Sequence, residues 1–439
     1  MAREARRRGR HQRRGVARPR RHPRERPARV REGTPLTTRE HEPARSHADD
    51  LRGASKLAVE ATRGVTALVE ELHRTIASGP AILGRPLAAP ARIATRIVYG
   101  SIRGVTRLVG AGLDRALAEL GPLLGESAPS AERDALLAAL NGVLGDYLED
   151  TQSALAIEMS VRRDGRALPL EDAAALGAAI PNATGKLLLL AHGSSMNDRQ
   201  WSRAGHDHGA ALARDLGFTP VYLRYNSGRH VSTNGAELAQ LLERVSAAWP
   251  VPIERLAIVA HSMGGLVARS ACHAAERAGL AWRARLDAIA FLGTPHHGAP
   301  LERGGNWLDL LLGVSRYSAP FTRLAQIRSA GVTDLRFGYV LDEHWQGRDR
   351  FALGADERRP LPLPEGVACH AIAGQSEGGL AGALGGDGLV PVESALGRHE
   401  RAELTLGFPE ASQVVIAGVG HVELLGSAAV YEALRGWLK

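Results

Sequence analysis

The sequence predicts an α/β fold: a mostly parallel sheet with helices on both faces, preceded by an N-terminal helical region and interrupted by a cap insertion. Three observations carry this expectation. From residue 155 onward, short apolar runs alternate with stretches of helical periodicity, the pattern of a parallel sheet covered on both sides. One of these runs passes through a sharp turn straight into a helix. The first 150 residues show only a charged tail followed by helical periodicity.

Each segment follows from its residues. Residues 1–50 hold 16 Arg and 7 acidic residues, while the remaining chain holds 39 basic and 40 acidic residues. The net charge of +8 therefore belongs to the tail. A run such as Arg6-Arg7-Arg8-Gly9-Arg10 cannot bury apolar surface, and disorder is expected. The tail reads as a solvated extension, or a start codon placed too far upstream, in preference to an arm for nucleic acid or anionic lipid. Residues 51–150 read as a helical hairpin region. Leu57, Val65, Leu68, Val69 and Leu72 recur at helical spacing, as do Ile93, Ile97, Val105, Leu108 and Val109. Arg63–Val69 and Arg103–Val109 form a weak repeat, and a third helix is expected from Ser130 to about Tyr147.

The domain expected over 151–439 opens with a β-hairpin. Its arms are Leu155–Val161 and Ala167–Leu170, and its turn is Arg163-Asp164-Gly165-Arg166. Strands follow at Leu187–Ala191, Pro220–Arg224, Leu256–Ala260, Ala288–Leu292, Ala368–Ala373 and Val414–Val419. Helical stretches lie at about 203–216, 234–248, 264–279 and 427–438. About 75 residues separate the fourth and fifth of these strands, far beyond an ordinary connection. A cap insertion is expected there, at about 299–366, with Trp307, Leu308, Leu310 and Phe321 in its most apolar helix. That helix is read equally as a lid over an acyl pocket and as a helix packed on the body.

Composition excludes several function classes. Apart from the tail the chain is near neutral, so no nucleic-acid partner is expected. Cys272 and Cys369 fit neither a disulfide framework nor a zinc site. No cofactor and no metal are expected. No signal peptide or membrane span is legible, and a cytoplasmic location is expected. Peripheral membrane contact and self-association stay open. The charges of 51–150 are mixed, which favours burial on the body or on a second chain over membrane insertion.

Five segments carry the chemistry. Strand Leu256–Ala260 runs into His261-Ser262-Met263-Gly264-Gly265 and then a helix, the strand–turn–helix context of a nucleophile elbow. Alanine at 260 stands where glycine is usual. Leu187–Ala191 ends in His192-Gly193-Ser194-Ser195-Met196. Phe291-Leu292-Gly293-Thr294-Pro295-His296-His297-Gly298 closes another strand. Gly385-Gly386-Asp387-Gly388-Leu389-Val390-Pro391 is a Gly-rich turn after the penultimate strand, and Gly420-His421-Val422-Glu423 follows the last strand. From the residues alone, Ser262 is also readable as a helix N-cap and Asp387 as a turn residue.

Together these segments resemble the α/β-hydrolase superfamily over residues 155–439. The His-Gly, Gly-Thr-Pro-His-His-Gly and Gly-Asp-Gly-Leu-Val-Pro elements are similar to those of its lipases and its GPI-inositol-deacylase-like acyl-ester hydrolases. The resemblance implies Ser262 as nucleophile, His421 as general base and Asp387 as the acid that orients it. Glu377 is the rival for the acid. It also implies an oxyanion hole from the N–H groups of Ser194 and Met263, with His296 and His297 shaping their loop. The roles suit the residue types. A serine hydroxyl needs a base to become nucleophilic, an imidazole titrates near neutral pH, and a carboxylate fixes its tautomer. The implied function is a serine esterase or lipase acting on a small-molecule or lipid acyl ester through an acyl-enzyme. Thioesters, amides and polyesters stay open as substrates. So does a lipid-surface or scaffold role for the N-terminal helices. The polar loop Tyr225–Asn234 is expected to flank the site.

Overall fold

The computed structural model describes residues 131–150, 152–299, 329–348, 350, 356–376 and 385–439. The Arg-rich tail, residues 51–130, the apolar helix expected around Trp307 and the rival carboxylate Glu377 lie outside the described residues.

Eight strands form one sheet: β1 Ser160–Arg163, β2 Arg166–Ala167, β3 Lys186–Ala191, β4 Thr219–Arg224, β5 Arg255–His261, β6 Leu286–Leu292, β7 Ala368–Gln375 and β8 Gln413–Ala417. Their order across the sheet is β2-β1-β4-β3-β5-β6-β7-β8. β1 is antiparallel to β2 and β4, and every pairing from β4 to β8 is parallel.

Eight helices accompany the strands among the described residues: α1 Ala131–Asp150, α2 Ala173–Ala179, α3 His208–Leu216, α4 Val231–Ala248, α5 Met263–Ala278, α6 Ala330–Asp334, α7 Val392–Ala395 and α8 Ala428–Trp437. Alternation along each strand divides the core in two. Leu187, Leu189, Ile258, Ile289 and Phe291 pack with Leu238 and Leu242 of α4 and Leu266 and Val267 of α5. Leu188, Leu190, Val259, Ala290 and Leu292 face Leu212 of α3 and Val430 and Leu434 of α8. A strand buried on both faces can be apolar at every position, which is why β3 reads Lys-Leu-Leu-Leu-Leu-Ala.

The opening hairpin differs from its prediction. Its turn stands where expected, with Asp164 and Gly165 at φ 51° and 73°, but both arms are short, and the first begins only at Ser160. The cause is Asn141 of α1. Its amide donates to the Leu155 carbonyl at 2.8 Å and its oxygen accepts the Ile157 N–H at 2.9 Å. The backbone before Ser160 is thus occupied by a helix side chain instead of a strand. β8 also ends early, because Gly418 at φ 72° turns the chain out of the sheet.

Helix α1 extends to Asp150 and sits on the body. Asp134 accepts both terminal nitrogens of Arg224 at 2.9 Å and Nε of Arg199 at 2.8 Å. Burial alone would raise the Asp134 carboxyl, but the hydrogen bonds and charges of Arg224 and Arg199 outweigh it and hold the group below its ordinary value. Arg224 also bonds Asp198, and Arg162 lies 3.5 Å from the same carboxylate. Among the described residues no helix is long and apolar enough to cross a membrane. Cys272 and Cys369 are buried free thiols, and burial pushes both up to about 12.

Candidate active site

The turn between β5 and α5 places Ser262 at φ 54° and ψ −125°. A residue with a Cβ pays for this conformation in strain, of order 1–3 kcal/mol, and keeps it only where the surroundings hold it. Here the Ser262 N–H donates to the Leu292 carbonyl at 2.8 Å. A Cβ on Gly264 would lie 2.5 Å from the Ala191 carbonyl oxygen, and one on Gly265 would lie 2.1 Å from Thr294 Oγ1. The glycines after the serine are therefore required by close approach to β3 and to the Gly-Thr-Pro-His loop. Ala260 is fully buried in β5, and its methyl is accommodated.

Asp387 and His421 meet above the ends of β7 and β8. His421 Nδ1 donates to Asp387 Oδ2 at 2.7 Å, and the His421 N–H donates to the Asp387 carbonyl at 2.9 Å. The other carboxylate oxygen accepts the N–H groups of Leu389 at 3.0 Å and Val390 at 2.8 Å. That leaves Nε2 of His421 as the free lone pair. His261, next to the serine, donates from Nε2 to the His421 carbonyl at 2.9 Å, with ring centroids 4.7 Å apart. Gly293, the neighbour of the Leu292 that anchors Ser262, has no room for a side chain. A Cβ there would sit 2.8 Å from Asp387 Oδ2 and 3.2 Å from His421 Nδ1. Ser262, Asp387 and His421 are all buried to within 5% exposure. Among the described residues no hydrogen bond joins Ser262 Oγ to His421 Nε2. Such bonds often close only on substrate.

The serine-bearing elbow, the strand order and the Ser–Asp–His chain order meet on one sheet. The fold is the α/β-hydrolase fold.

Ser194 and Met263, the expected oxyanion donors, are both near this serine. Met263 opens α5, where a first-turn N–H has no partner in its own helix. Ser194 follows Gly193, and a Cβ on Gly193 would lie 3.0 Å from Ser262 Cβ. Neither N–H is engaged by another group among the described residues. The loop is held from behind. Tyr225 stacks on His192 at 4.4 Å and donates its hydroxyl to the His192 carbonyl at 2.9 Å. His192 Nδ1 donates to the Gly193 carbonyl at 2.8 Å. Ser195 stands at φ 60°, and its N–H donates to Ser227 Oγ at 2.9 Å.

Burial drives the His192 imidazole down to about 3 and His261 well below its ordinary value, so both are neutral. His296 is fully buried against Phe291 and Phe408, while His297 Nδ1 accepts from Arg358 at 2.9 Å. The hydrogen bonds of both lie in the Gly-Thr-Pro-His loop's own surroundings, with Arg269 and Arg358. Residues of the 225–234 loop do flank the site. Tyr225 and Ser227 act there through contacts that leave no motif. Among the described residues no group of histidines, cysteines and carboxylates could hold a metal ion.

A family described as a domain of unknown function, DUF7379, matches residues 169–336. No curated protein matches. Among solved structures, the chain is similar to the mature lipase BlEst2 of Bacillus licheniformis at 17% identity, over 58% of this chain and 92% of that one, with a TM-score of 0.40. It is similar to the Pyrococcus furiosus esterase Pf2001 at 14% identity, over 59% and 85%, with a TM-score of 0.33. It is also similar to YbtT, a type II thioesterase from the yersiniabactin NRPS/PKS biosynthetic pathway, at 16% identity, over 58% and 94%, with a TM-score of 0.36. At this level of likeness the substrates of those proteins do not carry over.

Proposed function

We propose that this chain is a serine hydrolase of carboxylic esters that works through an acyl-enzyme, with Ser262 as nucleophile, His421 as base and Asp387 as orienting acid. The observation that carries the reading is the 2.7 Å bond from His421 Nδ1 to Asp387 beside a serine held in a strained elbow. Ser262 Oγ attacks the ester carbonyl carbon while its proton passes to His421 Nε2. Asp387 stabilises the imidazolium that results. The carbonyl electron pair moves onto oxygen, where the N–H groups of Ser194 and Met263 receive it. Collapse of this intermediate breaks the bond to the leaving alcohol, which takes the proton from His421. Water, deprotonated by the same imidazole, then attacks the acyl-enzyme and frees the acid and the serine. The chemistry requires no metal or cofactor. The substrate is a small-molecule or lipid acyl ester.

A fluorophosphonate probe tests this directly. The full chain is expected to be labelled at Ser262 alone and to hydrolyse short p-nitrophenyl esters, with both signals lost in Ser262→Ala. An unlabelled, folded wild-type protein would reject the reading and leave a scaffold role through the N-terminal helices in its place.

A further inference from the structure

Helix α1 belongs to the segment that precedes the hydrolase strands, yet it lies directly on the loop that carries Ser194. A Cβ on Gly142 would fall 1.9 Å from Ser195 Oγ and 2.8 Å from both Ser195 Cα and Cβ. One turn later, a Cβ on Gly145 would fall 1.8 Å from Asn226 Oδ1, and one on Gly228 would fall 2.2 Å from the Asn141 carbonyl oxygen. The helix therefore presents bare backbone at both glycines to Ser195, Asn226 and Gly228 of the two loops. Polar contacts lock the arrangement. Asn226 Nδ2 donates to the Gly145 carbonyl at 2.8 Å, and Ser227, only 1% exposed, holds the Ser195 N–H at 2.9 Å. Ser195 itself is kept in the left-handed region at φ 60°, where a serine stays only under constraint.

We infer that α1 is the outer wall of the oxyanion hole, and that Gly142 and Ser227 are positioning residues which aim the Ser194 N–H at the ester oxygen by clamping Ser195. The inference rests on the proposed acyl transfer. Glycine at 142 is needed because the helix must approach the loop to backbone contact. Ser227 is needed because the Ser195 N–H is buried and would otherwise be unsatisfied. A peptide group clamped on both sides costs no reorganisation when charge develops.

The test is Gly142→Ala in the full chain, with kcat counted per fluorophosphonate-labelled site so that unfolded protein does not enter. Loss of one oxyanion donor costs about 10²–10³ in turnover, and a displaced donor is expected to cost about 10- to 100-fold in kcat with KM within about twofold. The inhibition constant of a trifluoromethyl ketone ester analogue, whose adduct presents an oxyanion, is expected to rise in parallel. Adding Ser195→Gly, which removes the contacts at Oγ and Cβ, suits the positive φ and leaves only the 2.8 Å contact at Cα, is expected to recover part of the loss. A merely structural role would lower the melting temperature without moving kcat per labelled site. If Gly142→Ala does not fold, Ser227→Ala reads the same quantity, with about a tenfold fall in kcat expected. A wild-type protein that is labelled at Ser262, with either folded variant turning over at the wild-type rate, would overturn this inference alone. A wild-type protein that is not labelled would overturn it together with the reading it rests on.

Discussion

The two halves of the candidate site are built by different means. On the side of β5 to β8 the backbone does most of the positioning. Ser262 hangs from the Leu292 carbonyl, Gly293 from Ile372, Ser376 from Gly386, and His421 from the Asp387 carbonyl. Backbone hydrogen bonds at and beyond the strand ends bring these groups together. On the side of β3 and β4 the Ser194 loop is held by side chains and by a distant helix: Tyr225, Ser227, Asn226 and the glycine face of α1. The first half is built by the backbone of the sheet and the segments that follow its strands. The second half depends on side chains of the loop after β4 and on the packing of α1 against it.

Substitutions sharpen this contrast, beginning with the largest effect. Ser262→Ala is expected to lower ester turnover by about 10⁶ with the fold intact, as in other triads. A turnover within tenfold of wild type would place the nucleophile elsewhere. Asp387→Asn keeps the shape but removes the charge and the tautomer control on His421, and a fall of about 10⁴ in kcat is expected. Steady-state kinetics at saturating ester would read it, and a fall of less than tenfold would return the acid role to another carboxylate. Gly293→Ala puts a methyl 2.8 Å from Asp387 Oδ2 at a position with φ 56°. A displacement near 1 Å at a reacting group costs about 10², so turnover should fall by about that factor while probe labelling slows in step. If activity survives, the backbone half is more pliable than its hydrogen bonds suggest.

Asp134→Ala strikes the other half. It removes the carboxylate that Arg224 and Arg199 share and leaves Arg224 with Asp198 alone, and loss of one partner from a buried pair costs about 3–5 kcal/mol. Chemical denaturation is expected to show that loss, and a change below about 1 kcal/mol would mean that α1 is not anchored by this carboxylate. The last effect is on pH and is spread over about two pH units. Burial lowers His192 to about 3 and His208 to about 4, so both are neutral in the fold. The unfolded chain takes up protons at these groups once the pH drops below the ordinary histidine value of about 6.5, and the folded chain does not. Stability from these groups is therefore full above that value and declines toward pH 4, by about 1.4 kcal/mol per pH unit for each. Melting curves from pH 7.5 to 4.5 should slope downward on the acid side. A flat profile would mean that these two imidazoles are open to water.

What was legible and what was not follows the same division. The apolar runs from Leu187 to Leu292 are strands because only a sheet covered on both faces buries every residue of such a run. The elbow at Ser262, the Gly-rich turn at Asp387 and the histidine after the last strand are local patterns, so they could be found without coordinates. The bond between Asp387 and His421 joins residues 34 positions apart, but each belongs to a segment that follows one of two neighbouring parallel strands. The hairpin arms were misplaced because Asn141, far outside the segment, occupies their backbone.

By itself the sequence determined the sheet, its covering helices and the segments that carry Ser262, Asp387 and His421, because periodicity and turn chemistry are local properties of a chain. Tertiary structure alone decided how the Ser194 loop is held. Gly142, Ser195 and Ser227 share no motif and no spacing, and their relation exists only because α1 packs backbone to backbone against two loops that the sheet brings side by side. Close packing of this kind is set by shape in three dimensions, and nothing in the linear order of residues records it.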